Sequence, residues 1–251
     1  MYRERQSRVG GAVVWAHTGE PGGEGRVLPD GCMDLLMWDG RLVVAGPDTR
    51  AYLFARQPGS RITGLRLPPG VGPLVFGAPA HEFRDRRVPL AEVWSGRSVR
   101  LLQERVAEAP DAGRALEAVA AGRLAEQGSS PVRPVAGPVR PVARLLARGR
   151  GVAEVAREVG LSERQLHRRC LDAFGYGPKT LARVLRMQEA LLLAGGGVPP
   201  AEVAHLAGYA DQAHLSRDVR ALAGVPLGRL LGQDSGAKRS TPLPSGSATT
   251  A

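Results

Sequence analysis

The sequence predicts an α+β protein with a small β-rich N-terminal domain, closing helices, a proline-rich linker and an all-α C-terminal domain. Three changes of pattern along the chain predict this order. Short apolar runs separated by Gly, Pro and Asp fill residues 1–90, helical spacing of apolar residues follows at 89–127, and the pattern is entirely helical after Pro141. We therefore expect two domains with different architectures.

Five short apolar runs carry the β prediction. They are residues 12–15, 33–38, 41–45, 51–54 and 62–67. Asp39-Gly40 separates two of these runs, and a two-residue hairpin turn needs positive φ angles, which Gly and Asp tolerate. The pattern therefore predicts a hairpin at this point.

The helical part of the first domain is divided by Pro110-Asp111. Apolar residues recur at helical spacing on both sides of that break: Leu101, Leu102 and Val106, then Leu116, Val119, Ala120 and Leu124. Two or three helices should close a domain over 1–127. Residues 128–141 are rich in proline and glycine and predict a linker, 142–232 form the second domain, and 233–251 have the composition of a disordered tail.

Charge and composition exclude several classes of protein. The chain has 251 residues and a formal charge of +10, and residues 140–235 carry 14 basic and 9 acidic side chains. The abundance of Arg, Ala, Gly and Pro is typical of coding bias in a GC-rich genome, so such bias is an alternative explanation for part of that excess. Without a run of 18 apolar residues or a leader, a membrane or secreted protein is not expected. Cys32 and Cys170 are far apart in sequence and lie in no CxxC or HxxxC motif, so we expect neither a disulfide framework nor a structural zinc site. A reducing cytoplasm fits this pattern.

The C-terminal domain contains an internal repeat, at about 152–173 and 200–222. In both copies an amphipathic helix ends at a glycine, Gly160 or Gly208, where the chain needs left-handed geometry. An apolar residue follows, then a capping residue, then a second helix. This arrangement is typical of a helix-turn-helix. One copy alone could equally be an ordinary helical hairpin, but two copies with matched spacing favour the DNA-binding interpretation.

The same span, from about Val142 to Leu231, resembles the double helix-turn-helix domain of AraC/XylS-type bacterial transcription regulators. The resemblance is carried by 152–156 with Gly160-Leu161-Ser162, by 174–179, by 183–190, by 208–217 and by 224–227. It implies two helix-turn-helix units joined by a long helix, here Lys179 to Ala194. It also implies two recognition helices in successive major grooves, with double-stranded promoter DNA as partner.

Position by position, the resemblance gives a set of DNA-contact candidates. They are Arg164, Gln165, His167, Arg168 and Arg169 in the first unit and Gln212, Ala213, His214, Ser216 and Arg217 in the second. Arg, Gln and His can read base edges or grip phosphates, whereas Ala213 can offer only an apolar contact. Solvated side chains remain the alternative within each helix. Val219 stands where the family usually has a buried aromatic residue.

The first domain is similar, more vaguely, to a poorly defined domain found beside such units in actinobacterial proteins; 26–35, 45–49 and 79–83 carry that likeness. In this family the other domain usually senses a small molecule, dimerises or both. Asp30, Asp34 and Asp48 with Arg26 could line a ligand pocket, although turn aspartates that cap loops are the simpler interpretation. Cys32, beside Asp30 and Asp34, is expected to lack a nearby cation that would lower its pKa and to be a buried small hydrophobe rather than a sensor. Trp15, Trp38 and Phe54 could floor a cavity or simply fill the core.

Three functions compete. The first is a sequence-specific transcription regulator without catalytic activity, metal or cofactor, with a homodimer and RNA polymerase as compatible partners, acting at the nucleoid. The second is an alkyl-DNA repair protein, but about four clustered thiolates would be needed to hold its zinc, and the first domain has Cys32 alone. The third is an adaptor whose basic domain binds DNA without reading its sequence.

Overall fold

The computed structural model describes residues 2–19, 24–55, 57–128 and 139–232. Its N-terminal part contains eight strands among the described residues: β1 (Tyr2–Gln6), β2 (Val13–Thr18), β3 (Glu24–Val27), β4 (Met33–Trp38), β5 (Arg41–Ala45), β6 (Tyr52–Ala55), β7 (Arg61–Leu67) and β8 (Arg87–Pro89). Strands β2, β4, β5, β6 and β7 overlap the five predicted apolar runs, and β2 extends three residues beyond its run. Strands β1, β3 and β8 were not predicted, because their sequences are short and charged.

Six strands form one antiparallel sheet in the order β1-β2-β7-β4-β5-β8, and β3 pairs with β6 in a separate two-stranded ribbon. The predicted hairpin is confirmed: Trp38 pairs with Arg41, and Asp39 and Gly40 have φ angles of 44° and 80°. Both φ angles are positive, which gives the backbone twist that suits a tight antiparallel hairpin.

The first domain is closed by α1 (Gly72–Phe76), a 3-10 turn at Ala80–Phe83, a second at Leu90–Glu92, α2 (Gly96–Glu108) and α3 (Ala112–Gly128). The predicted break lies between α2 and α3, where the Asp111 carboxylate accepts the Arg114 N–H at 3.0 Å. Arg5 of β1 donates two 3.0 Å hydrogen bonds to Glu117 of α3 and holds the pKa of that carboxyl at about 2. This pair fastens the sheet edge to the closing helices.

The C-terminal part is entirely helical among its described residues, as predicted. Its helices are α4 (Val139–Ala147), α5 (Val152–Glu158), α6 (Glu163–Phe174), α7 (Pro178–Gly195), α8 (Pro200–Leu206), α9 (Gln212–Ala223) and α10 (Leu227–Gly232). The long joining helix α7 exceeds its predicted span by one residue at each end. A single apolar core runs through both helix pairs and α7.

The predicted linker needs one correction. Helix α4 begins at Val139, so the last residues of the 128–141 span are helical. Pro141 lies in the first turn, where the missing N–H has no intrahelical partner to lose and the fixed φ suits the helix. Residues 129–138 of the linker and the predicted tail from 233 onward lie outside the described part of the chain.

In the described part of the chain, none of the helices combines the length and apolar character that crossing a membrane requires.

The first domain packs directly on the helical one. Leu28, just after β3, is 5% exposed and belongs to the apolar core of the C-terminal helices. Gln188 of α7 donates a side-chain hydrogen bond to the carbonyl oxygen of Pro29. The two domains therefore share core residues as well as polar contacts.

Candidate DNA-binding interface

The first helix-turn-helix unit consists of α5 and α6. Gly160 between them has a φ of 68°, and the next N–H, of Leu161, returns to the Ala156 carbonyl at 2.8 Å. The positive φ favours glycine because a side chain there would meet the backbone. The predicted turn is therefore confirmed in position and in geometry.

A reciprocal capping box starts α6. The Ser162 hydroxyl accepts the Gln165 N–H at 3.2 Å, and the Gln165 side-chain oxygen accepts the Ser162 N–H at 2.9 Å. These bonds satisfy two backbone donors that the helix start would leave unpaired. As a result, Gln165 retains its NH₂ group, and not its oxygen, for a base or phosphate.

Helix α6 separates an apolar stripe from a basic face. Leu166, Cys170, Ala173 and Phe174 are buried, while all five predicted contact residues are exposed: Arg164, Gln165, His167, Arg168 and Arg169. The His167 ring lies against the backbone at Gly177, where an added Cβ would stand 2.6 Å from its Cε1 atom. His167 is thus drawn toward the start of α7, and the three arginines form the freely presented set.

The second unit, α8 and α9, repeats the turn with one more residue. Gly208 has a φ of 76°, the Tyr209 N–H bonds to the Ala204 carbonyl at 2.8 Å, and the Tyr209 ring is buried. The predicted cap is confirmed, since the Asp211 carboxylate accepts the His214 N–H at 2.6 Å. A carboxylate at this position also stabilises the helix start through the helix dipole.

Helix α9 exposes four of its five predicted contact residues: Gln212, Ala213, Ser216 and Arg217. His214 is half-buried, and its ring stands edge-on to Tyr209 with the ring centroids 5.2 Å apart. Val219 is fully buried in the shared core, although it replaces the aromatic residue that the family resemblance implies. The smaller valine side chain therefore fills this core position of the second unit.

Asp218 was missed by sequence reasoning. It is 7% exposed, and its Oδ1 atom accepts a 2.7 Å hydrogen bond from Nε of Arg183 in α7. Nη2 of Arg183 forms an ion-pair contact with the same oxygen at 2.6 Å. Arg186 lies 4.0 Å from the other oxygen and 5.2 Å above the Tyr209 ring, whose pKa is raised by burial. The available signal was an aspartate on the apolar stripe, three residues after Leu215 and four before Leu222.

The candidate ligand residues of the first domain do not converge on one site. Asp30 and Asp34 lie together on Arg66, at 3.5 and 3.8 Å from its Nε, and the Arg66 side chain is 2% exposed. Asp34 also accepts the Trp15 indole N–H at 2.6 Å, and Asp30 caps the Cys32 N–H at 2.9 Å. These two aspartates therefore neutralise a buried arginine that sequence reasoning did not include.

The other two candidates lie elsewhere. Asp48 accepts two 2.7 Å hydrogen bonds from Arg87, and Arg26 donates a 2.6 Å bond to the carbonyl of Ala223 in α9. A pocket lined jointly by these four side chains has no geometric support, and the ligand assignment stays a prediction. Each of the four makes a structural contact instead.

Both cysteines are free thiols. Burial raises the pKa of Cys170 to about 12 and also raises that of Cys32, where Asp30 adds to the effect. The expectation that no cation lies near Cys32 is wrong, because Arg66 is close enough to oppose the rise. Cys32 is also half-buried rather than fully buried. Within residues 2–19, 24–55, 57–128 and 139–232, no three His, Cys, Asp or Glu side chains cluster as metal ligands would.

Two family models match the chain. A model described as a helix-turn-helix domain matches residues 155–233, from the middle of α5 to the end of α10. The chain carries an AraC-type helix-turn-helix domain. A domain of unknown function (DUF6597) matches residues 12–89, which include strands β2 to β8. The matches thus place a DNA-binding module after a β domain of undefined role.

Solved structures of ToxT from Vibrio cholerae are similar over most of the chain. The structure from strain O395 is 10% identical with a TM-score of 0.49, and covers 94% of this chain and 99% of that one. Wild-type ToxT of strain SCE256 with a bound unsaturated fatty acid is 12% identical with a TM-score of 0.49, and covers 90% and 96%. Sequence identities and TM-scores this low do not indicate that this chain shares a ligand or a DNA target with ToxT. No curated protein matches its sequence.

Proposed function

We propose that this protein is a sequence-specific DNA-binding transcription regulator that inserts α6 and α9 into successive major grooves. The observation that supports it best is the pair of helices themselves. Each begins at a side-chain cap, buries one apolar stripe in a common core and exposes a polar, mostly basic or amide face. Recognition helices of one protein commonly sit about 34 Å apart along a DNA face, one helical turn.

Base reading is assigned chiefly to Arg168 and Arg217, which are exposed on their helices. An arginine can donate two hydrogen bonds to the O6 and N7 atoms of guanine. Arg169, with Arg144, Arg148 and Arg150 around the first unit, would bind phosphates and add attraction that does not depend on sequence. Affinity should therefore fall steeply between about 50 and 200 mM salt.

We further propose that the protein works without catalysis, and that the first domain receives a small-molecule signal. A homodimer and contact with RNA polymerase, both at the nucleoid, are compatible with this role. Sedimentation of the full chain with and without DNA would test the dimer. One chain alone in solution, and one chain per duplex in the complex, would remove it.

The test of sequence-specific binding is selection from random duplexes followed by footprinting at physiological salt. We expect one enriched sequence, with discrete protection about two helical turns long. The competing function is the adaptor that coats DNA without reading it, which the basic charge of α6 alone would also permit. Uniform protection and no enriched sequence would favour that adaptor and overturn the regulator.

A further inference from the structure

A cleft lies between the β3–β6 ribbon and the six-stranded sheet. Val27, Tyr52 and Phe54 form the ribbon wall, and the facing side chains come from the main sheet: Tyr2, Trp15, His17, Leu36, Trp38, Ala45, Ile62 and Arg87. Alternation along β6 supports this wall, since Tyr52 and Phe54 are half-buried while Leu53 and Ala55 are exposed. The space between the two walls amounts to about 550 Å³ when the solvent in its open mouth is included.

The lining offers aromatic faces and few free polar groups. The Trp15 N–H is donated to Asp34, and the Tyr2 hydroxyl is donated to Glu4 at 2.8 Å. Tyr52 and Phe54 are stacked with their ring centroids 6.4 Å apart. Trp15, Trp38 and Phe54, which the sequence left open as either cavity floor or core, all line this cleft.

The one arginine of the lining is already neutralised. Arg87 donates both 2.7 Å hydrogen bonds to Asp48, which is 7% exposed, and its guanidinium lies 4.0 Å above the Tyr52 ring. A ligand carboxylate placed on Arg87 would also meet the Asp48 carboxylate, and like charges at short distance repel. The cleft therefore favours a flat, uncharged aromatic molecule over an anion.

The ribbon wall of the cleft is bonded to the second recognition helix. Arg26, the neighbour of Val27 in β3, donates a 2.6 Å hydrogen bond to the Ala223 carbonyl. Ala51, the neighbour of Tyr52, donates its N–H to the Leu222 carbonyl at 2.7 Å. Both acceptors belong to the last turn of α9, whose carbonyls have no partner within the helix, and a cation there is favoured by the helix dipole.

We propose that this cleft binds a flat, uncharged aromatic ligand, and that the β3–β6 ribbon transmits its occupancy to the C-terminal end of α9. The ribbon contributes one wall of the site through residues 27, 52 and 54. Their sequence neighbours, residues 26 and 51, donate hydrogen bonds to the C-terminal end of α9. An effect of the ligand on DNA binding rests on the function proposed above. Ligand binding itself and its effect on α9 do not depend on that function.

Ligand binding is tested on the full chain without DNA, with the neutral fluorophore N-phenyl-1-naphthylamine as probe. Saturable fluorescence enhancement is expected, and Phe54→Ala should weaken it about tenfold, a change of about 1.4 kcal/mol. Leu53→Ala is the matched control, because Leu53 is on the same strand and points away from the cleft. If circular dichroism shows that Phe54→Ala is unfolded, Tyr52→Leu takes its place. No saturation, or equal weakening by Leu53→Ala, overturns the site.

The ligand class is tested by displacing the probe with a matched pair, indole-3-carboxamide and indole-3-carboxylate. The neutral amide should displace the probe at a concentration at least tenfold lower than the anion. A carboxylate that competes as well as the amide, or better, would overturn the uncharged assignment.

Transmission is tested by hydrogen exchange of the amides at 218–224 with and without the probe, again without DNA. In the wild type, the exchange rates of these amides should change at least twofold when the probe binds. Arg26→Ala should bind the probe normally but reduce that change by half or more, and Arg41→Ala, at the exposed hairpin, should retain it. An unchanged α9 end in the wild type overturns transmission. A chain that passes these tests but selects no DNA sequence would refute only the regulator function.

Discussion

The two helix-turn-helix units differ most at one equivalent position, seven residues after the helix cap. In the first unit this position is Arg169, which is exposed; in the second it is Asp218, which is buried and paired with Arg183. The joining helix α7 lies against that side of α9 and supplies the arginines. The same position therefore adds charge to the surface in one unit and fixes orientation in the other.

The two units also contact the first domain in different ways. Helix α6 of the first unit packs on α1 and on the 3-10 turn at Ala80–Phe83. The polar contacts of the first unit with the first domain are longer. Arg84 donates a 3.3 Å hydrogen bond to the Gly175 carbonyl, and His81 lies 3.5 Å from the Asp172 carboxylate. The second receives the two short bonds from the ribbon at the end of α9. We infer that the first domain holds both units, and that it can influence the second through the end of its recognition helix.

The largest expected effect belongs to the buried pair. Asp218→Ala leaves two arginines facing a position without a counter-charge, and breaking a buried ion pair costs about 3–5 kcal/mol. Because the Arg183 side chain is 41% exposed, we expect less, about 2–3 kcal/mol, in urea-induced unfolding. Arg169→Ala, at the equivalent exposed position, should change stability by at most about 0.5 kcal/mol. Equal losses in the two variants would erase the contrast between the units.

Base reading is the next effect. Arg168→Ala and Arg217→Ala should each weaken binding to the selected duplex by about 1–3 kcal/mol if each arginine contacts a guanine. Each variant should also relax sequence preference in its own half of the site. Titration by fluorescence anisotropy measures this, with Arg100→Ala on α2 of the first domain as control. Unchanged affinity in both variants would remove the contact assignment.

The helix caps should give similar, smaller losses in both units. Ser162→Ala removes the acceptor for the Gln165 N–H, and Asp211→Ala removes the acceptor for the His214 N–H. Loss of such a cap costs about 1 kcal/mol, measurable as a shift of the urea midpoint. Asp211→Asn should recover most of the loss, since asparagine caps helices equally well. A neutral Asp211→Ala would show that the second unit does not depend on its cap.

The smallest effect concerns phosphate binding. Arg169→Ala should weaken DNA binding uniformly across sequences and reduce the slope of log affinity against log salt by about 1. Affinities at four salt concentrations, on specific and scrambled duplexes, measure it. A loss confined to the specific duplex would instead make Arg169 a base-reading residue.

Local features of this protein were predictable from sequence, because they depend on a few neighbouring residues. The Asp39-Gly40 hairpin, the glycine turns at 160 and 208, and the caps at Ser162 and Asp211 all belong to this group. Each follows from the backbone geometry that its residues allow. The double unit followed from the spacing of such features along the chain.

Features that join distant segments were not predictable. Arg66 meets Asp30 and Asp34 only after β7 pairs with β4, and Asp218 meets Arg183 only after α9 packs on α7. Likewise Arg26, assigned to a ligand pocket, proved to hold the end of α9, 197 residues later in the chain. Charge and residue type suggested that such residues matter but not which partner each would find.

Hydroxyl-radical footprinting of the selected duplex with wild type, Arg168→Ala and Arg217→Ala is the most direct test that two helices read two grooves. The wild type should protect two patches on one DNA face, about one helical turn apart. Each variant should lose one patch, and the two variants should lose different ones. A single patch in the wild type, or loss of the same patch in both variants, would contradict the account.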